Sequence, residues 1–170
     1  MYADSLEQAV RAEIEPLMTA MGYDLVEVSV GRQTGVSHVV IVVHREAGVG
    51  VEQCAEVSRA VLPRLALVEE LADPALEVSS PGIERTLKDP AEYAIFRGRG
   101  VRVLPAGDGE WVGGVIEAFR DGTLVLRTPE GAREFPPGAV RRARLDYKLD
   151  PEGPKGPRDA RGPAAERTNG

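Results

Sequence analysis

At Gly22 the hydrophobic period of this chain drops from about four to two, and that change imposes a helix-then-strand order on its first part. Upstream, Leu6, Val10, Ile14, Leu17 and Met21 recur at the spacing of one helical face. Downstream, Val26, Val28 and Val30 alternate with Glu27 and Ser29, and the run His38 to His44 is almost wholly β-branched, so two strands are expected. Ser5 with Gln8 reads as a capping box at the helix start, and Gly22 as its stop. Pro16 removes a ladder donor and predicts a kink. Gly31 to Gly35 reads as the hairpin loop between the strands. Cys54, Val57, Val61 and Leu65 return to helical spacing around an interior Pro63, and Leu76 and Val78 form a short strand. The order is helix, strand, strand, helix, strand.

A junction, SSPGIERTLKDP, follows. Pro81 and Gly82 fit the two central positions of a type II turn, which asks for a fixed φ and then a positive one. Asp89 and Pro90 read as N-cap and first residue of a short helix that ends near Gly98. Beyond it lie five short strands, Val101 to Leu104, Trp111 to Phe119, Thr123 to Thr128, Ala132 to Phe135 and Arg141 to Leu145. Asp121-Gly122 is a tight-hairpin signal, and Gly113-Gly114 within a strand predicts a sharp bend. Five short strands with a bend suggest a small barrel.

The domains are therefore residues 1–81, α+β, and 82–149, a five-stranded barrel, followed by a tail at 150–170. The tail holds four prolines and four glycines, with three alanines as its only apolar side chains, and is expected to be disordered. Charge divides along the same lines. Residues 1–81 carry 5 basic and 13 acidic side chains, whereas residues 82–149 carry 12 and 10. A net charge of -6 argues against indiscriminate nucleic-acid binding but allows a local basic face. No apolar run approaches the ~20 residues of a membrane helix. The opening MYADSLEQAV lacks the character of a secretory signal, and one cysteine forms no intrachain disulfide, so a cytoplasmic protein is expected.

Catalytic chemistry finds little support. His38 and His44 would lie about 20 Å apart on one strand, too far to share a zinc, and Cys54 sits on an apolar helical stripe. Ser79 and Ser80 lack a G-x-S-x-G frame, and Gly31 to Gly35 lacks the Lys-Ser/Thr of a phosphate loop. No cofactor, metal or catalytic residue is expected.

The arginines are more informative. They outnumber lysines 18 to 3, and the guanidinium fork suits bidentate phosphate contact. Arg142 and Arg144 alternate with Ala143 and Leu145, which puts both on the outward face of the last strand, while Arg102 is flanked by Val101 and Val103. Arg97 and Arg99 add charge at the strand ends. This group is either an anion-binding face or a plain solvated one. The acidic first segment would attract a cationic protein, although solubility alone also accounts for it.

Read together, MGYDLVEVSV, CAEVSRAV, EVSSPGIERTL, EYAIFRGRGVRV and VRRARL resemble the ribosome maturation factor RimP family, in order from about Leu6 to Lys148. SSPGIERTL is the most specific of these. The resemblance implies an N-terminal α-β-β-α-β domain followed by a small Sm-like five-stranded β-barrel. It implies a non-enzymatic assembly factor that binds immature small ribosomal subunits and a basic small-subunit ribosomal protein. It also marks Ser80, Pro81, Gly82, Arg85 and Leu87 as the interdomain junction, where Arg85 is either a partner contact or an interdomain ion pair, with the ion pair favoured. The acidic stretch that commonly opens the second helix in that family is here Val49-Gly50-Val51 before Glu52.

Neighbouring first and last strands in such a barrel would bring Arg102 close to Arg142 or Arg144, a like-charge approach that needs an anion or carboxylate between them. The expected ligands of this group are rRNA phosphate or an acidic partner. A monomer without membrane contact is the simplest expectation, and a general RNA-binding module is the alternative function.

Overall fold

The computed structural model describes residues 2–107 and 109–152, in two compact units, Met1–Gly82 and Ile83–Gly170. The expected disorder of the tail from residue 153 onward lies outside the described residues.

The first unit opens with α1 (Tyr2–Met21), followed by β1 (Asp24–Gln33), β2 (Val36–His44), α2 (Val51–Leu65) and β3 (Ala75–Ser79). Ser5 lies inside α1 and not at its start, because the helix begins at Tyr2. The helix runs through Pro16, which is exposed together with Ala12, so solvent can take the carbonyl freed by the missing donor. Its buried stripe is Leu6, Val10, Ile14 and Met18, with Leu17 and Met21 only partly covered. Gly22 ends it at φ 85°, and Tyr23 N–H donates to the Met18 carbonyl at 2.9 Å, the bond that closes a glycine-stopped helix end.

β1 and β2 pair antiparallel across a turn far tighter than the Gly31 to Gly35 loop, since only Thr34 and Gly35 lie between the strands. Their φ values of 50° and 82° give both turn residues the left-handed backbone of a two-residue hairpin. β2 then pairs parallel with β3, which requires a crossover connection, and α2 supplies it. Gly50 precedes α2, and its N–H donates to Gln53 Oε1 at 2.9 Å, which satisfies one donor at the helix entrance. Val57, Val61 and Leu65 of α2 join the α1 stripe over Val39, Ile41 and Val43 of β2 to form the core.

α1 is also fixed to β1 by polar contacts. Glu7 Oε1 accepts from Val30 N–H at 3.1 Å. The β1 ladder slips between Leu25 and Glu27, and Arg11 donates to the carbonyls of Leu25 and Val26 at that bulge, at 3.2 and 3.4 Å.

At the junction, Gly82 does not take the positive φ that a type II turn at Pro81-Gly82 demands; the turn falls instead on Ile83 and Glu84.

The second unit holds α3 (Ala91–Ile95), β4 (Gly100–Pro105), β5 (Val112–Arg120), β6 (Thr123–Thr128), β7 (Gly131–Phe135), β8 (Val140–Leu145) and a 3-10 turn at Tyr147–Leu149. The Asp89 carboxylate accepts from Ala91 N–H at 2.8 Å, and Pro90, at φ -54°, is the N-cap of a helix that begins at Ala91, one residue later than its sequence predicts. The five strands form one antiparallel sheet in the order β7-β6-β5-β4-β8. Val101, Val103, Ile116, Leu124, Leu126, Ala143 and Leu145 are all buried on its inner face. Asp121 and Gly122, at φ 50° and 78°, make the tight β5–β6 hairpin.

Glycines serve close approach in β5. A Cβ on Gly114 would lie 2.8 Å from the Arg127 carbonyl oxygen, and one on Gly113 would lie 3.0 Å from Leu149 Cδ1. The β4–β5 ladder stays in register through this pair, and β5 slips against β6 further on, between Ile116 and Ala118.

Two segments cover the sheet outside its ladders. Leu87 N–H donates to the Ala143 carbonyl and Leu145 N–H to the Arg85 carbonyl, both at 2.9 Å, while Thr86 bridges Arg144. Residues 85–87 thus line the outer edge of β8. The 3-10 turn lies against β4: Asp146 N–H donates to the Gly100 carbonyl, and Gly100 N–H to Asp150 Oδ1 at 2.7 Å. Asp150, expected at the head of a disordered tail, is instead 7% exposed and bonded.

Candidate functional site

β4 and β8 place the predicted arginines. The register sets Arg102 opposite Arg144 and Leu104 opposite Arg142, so first and last strands are indeed neighbours and these side chains share the outward face. Arg142 and Arg144 are exposed between buried Ala143 and Leu145. Between Leu104 and Pro105 the ladder skips Arg141, and this bulge leaves both Arg141 and Arg142 exposed at consecutive positions.

A carboxylate relieves the like-charge approach, as the arrangement requires. Arg102 Nε hydrogen-bonds Asp146 Oδ2. Burial by itself would raise the Asp146 pKa, but the bond from Arg102, the backbone N–H of Lys148 and the two nearby positive charges outweigh it and hold the carboxyl below its ordinary value. Arg144 therefore faces a neutralised neighbour and keeps its own charge directed outward.

The remaining predicted arginines do not join this group. Arg99 Nε donates to Asp150 Oδ1 at 3.1 Å, and that carboxylate also fixes Gly100. Arg97 Nε donates to the Glu117 carbonyl at 3.0 Å, at the residue where the β5–β6 ladder slips. Both hold the backbone.

Arg85 Nε lies 2.6 Å from Glu92 Oε1, an ion pair within the second unit. Leu87 is buried and its N–H is bound to β8. Ser80 and Gly82 are exposed, and Pro81 is half-buried.

Sequence reasoning missed Trp111, Arg141, Asp146 and Glu92. Trp111 is 39% exposed, and the Arg144 guanidinium carbon lies over its ring, 5.5 Å from the centroid. Only the register across β4 brings the two together, so no local pattern could have revealed the pair. Arg141 depended on the bulge in the same way.

In the first unit, Cys54 is half-buried and burial pushes its thiol pKa up, the opposite of an activated nucleophile. Glu52 and Glu56 border a shallow groove on α2 with Gln53, Ala55 and Arg59. Among the described residues no three His, Cys, Asp or Glu side chains gather as a metal site, and no helix is long and apolar enough to cross a membrane.

Residues 13–84 match the family model described as the RimP N-terminal domain. That stretch carries α1 from its middle, the hairpin, the α2 crossover and β3, together with the SSPGIE start of the junction. Over those residues the chain is similar to the N-terminal domain of the RimP family.

Proposed function

We propose that this protein is a cytoplasmic, monomeric assembly factor that binds immature small ribosomal subunits without catalysing a reaction. The match of residues 13–84 to the RimP N-terminal domain carries this reading. The acidic first unit would meet a basic small-subunit ribosomal protein, since a net negative surface accelerates and orients such an encounter. The second unit would adopt the Sm-like barrel of the family. In support, a short helix precedes five antiparallel strands, and the first and last of these are paired. Its outward arginines, Arg142 and Arg144, would contact rRNA phosphate.

Sedimentation of tagged protein from lysate through a sucrose gradient tests the reading. Comigration with immature small particles and absence from polysomes is the expected result. A protein that stays at the top of the gradient in cells rich in such particles would refute it.

A further inference from the structure

We infer that Trp111, Arg141, Arg142 and Arg144 form a site for single-stranded RNA, in which a base stacks against the indole and phosphates sit on the arginines. This rests on the reading of the β8 face as an rRNA contact and adds the aromatic element and the strandedness.

Trp111 stands one residue before the β4–β5 ladder, whose last pair is Val103 and Val112, and by alternation with Gly113 it falls on the outward face that carries Arg102. Gly113 carries no side chain at the position opposite Arg102, and Arg144 reaches across β4 to lie over the indole. An indole left 39% exposed forgoes burial of part of its large apolar area, a cost that a stacked base would recover. A guanidinium already over the ring adds a second planar, cationic surface on which a base can stack.

Charge and spacing agree with this ligand. Arg102 is occupied by Asp146, but among the described residues the side chains of Arg141 and Arg142 make no ion pair or hydrogen bond, and that of Arg144 makes no ion pair. Arg142 and Arg144 are two strand residues apart, about 6.6 Å, comparable to the separation of neighbouring phosphates on an unstacked strand. Duplex RNA would offer phosphates but no free base face, because its bases are stacked on one another. An acidic peptide would satisfy the arginines and leave the indole without a planar partner.

Trp111 is the only tryptophan in the chain, so its fluorescence reports on the site directly. The full chain is titrated with oligoadenylate, with an RNA duplex of equal charge and with polyglutamate. Oligoadenylate should quench the indole with an affinity that falls with salt, and the other two should not quench it. Trp111→Ala should weaken oligoadenylate binding by about 5- to 150-fold. Arg144→Gln, which keeps a long polar side chain, should weaken it without changing the melting temperature. Absence of quenching at low salt overturns the inference, as does equal quenching by polyglutamate, which would make this a face for acidic protein. If Trp111→Ala binds oligoadenylate as wild type does but still comigrates with immature particles, the RNA site is wrong and the assembly-factor reading survives. Loss of comigration by the wild-type chain is the separate result that removes the latter.

Discussion

Arg85 Nε stands 2.6 Å from Glu92 Oε1 with the two side chains only 9% and 2% exposed, so seven residues of chain are closed by a buried ion pair. Glu92 is bound further by the N–H groups of Lys88 and Asp89, which donate to its Oε2 at 2.7 and 2.9 Å. One carboxylate thus ties the segment beside β8 to the start of α3.

Removing one member of a buried pair strands the other charge away from water. Glu92→Ala should therefore destabilise the second unit by about 3–5 kcal/mol. Chemical denaturation followed by Trp111 fluorescence measures it. A loss below about 1 kcal/mol would show that Arg85 reaches solvent without help.

Gly100 is required by contact rather than by backbone angle. A Cβ there would lie 2.4 Å from the Asp146 carbonyl oxygen and 2.7 Å from Leu149 Cβ. Gly100→Ala should cost about 1–3 kcal/mol and release the 3-10 turn, seen as faster amide exchange at 146–150. Gly31→Ala is the control, since a Cβ there meets nothing within 4 Å.

Asp146 gives stability a pH dependence of defined sign. Its carboxyl pKa is lower in the folded protein than in the unfolded chain, where it is about 3.9. Its contribution is therefore present above that value and lost as pH falls through the lower folded value. Asp146→Asn should be less stable than wild type at neutral pH, and the difference should shrink as the solution is acidified below about pH 4. A difference that stays constant down to acid would contradict the assignment.

Charge reversal tests the outward face of β8. Arg142→Glu with Arg144→Glu should weaken binding to immature small subunits and flatten its salt dependence, because each lost phosphate contact releases fewer counterions. Both residues are exposed, so melting should change little. Unchanged affinity and slope would remove the phosphate assignment.

The features legible in the sequence are those set by neighbours along the chain. Asp121-Gly122 announced its hairpin because both turn residues need positive φ and both tolerate it. Thr34-Gly35 was hidden inside a longer expected loop, since a β-branched residue at φ 50° is an uncommon choice. Alternation correctly turned Arg142 and Arg144 outward, and strand adjacency brought Arg102 to Arg144. The carboxylates that claim Arg99 and Arg102 lie 51 and 44 residues away, so no local pattern could separate tied arginines from free ones. Helical spacing alone also could not choose between Leu17 and Met18, three and four residues past Ile14, as the next residue of the buried stripe.

The strip formed by Arg85, Thr86 and Leu87 has a bearing on self-association. A sheet with two open margins can add copies of itself head to tail, margin to margin, as a ring or a growing fibre. Here the chain occupies the β8 margin at residues 143–145 with its own backbone, so an incoming strand finds those hydrogen-bonding groups already taken. Propagation of the sheet from one molecule to the next is blocked along that stretch by the same few residues that the buried glutamate holds down.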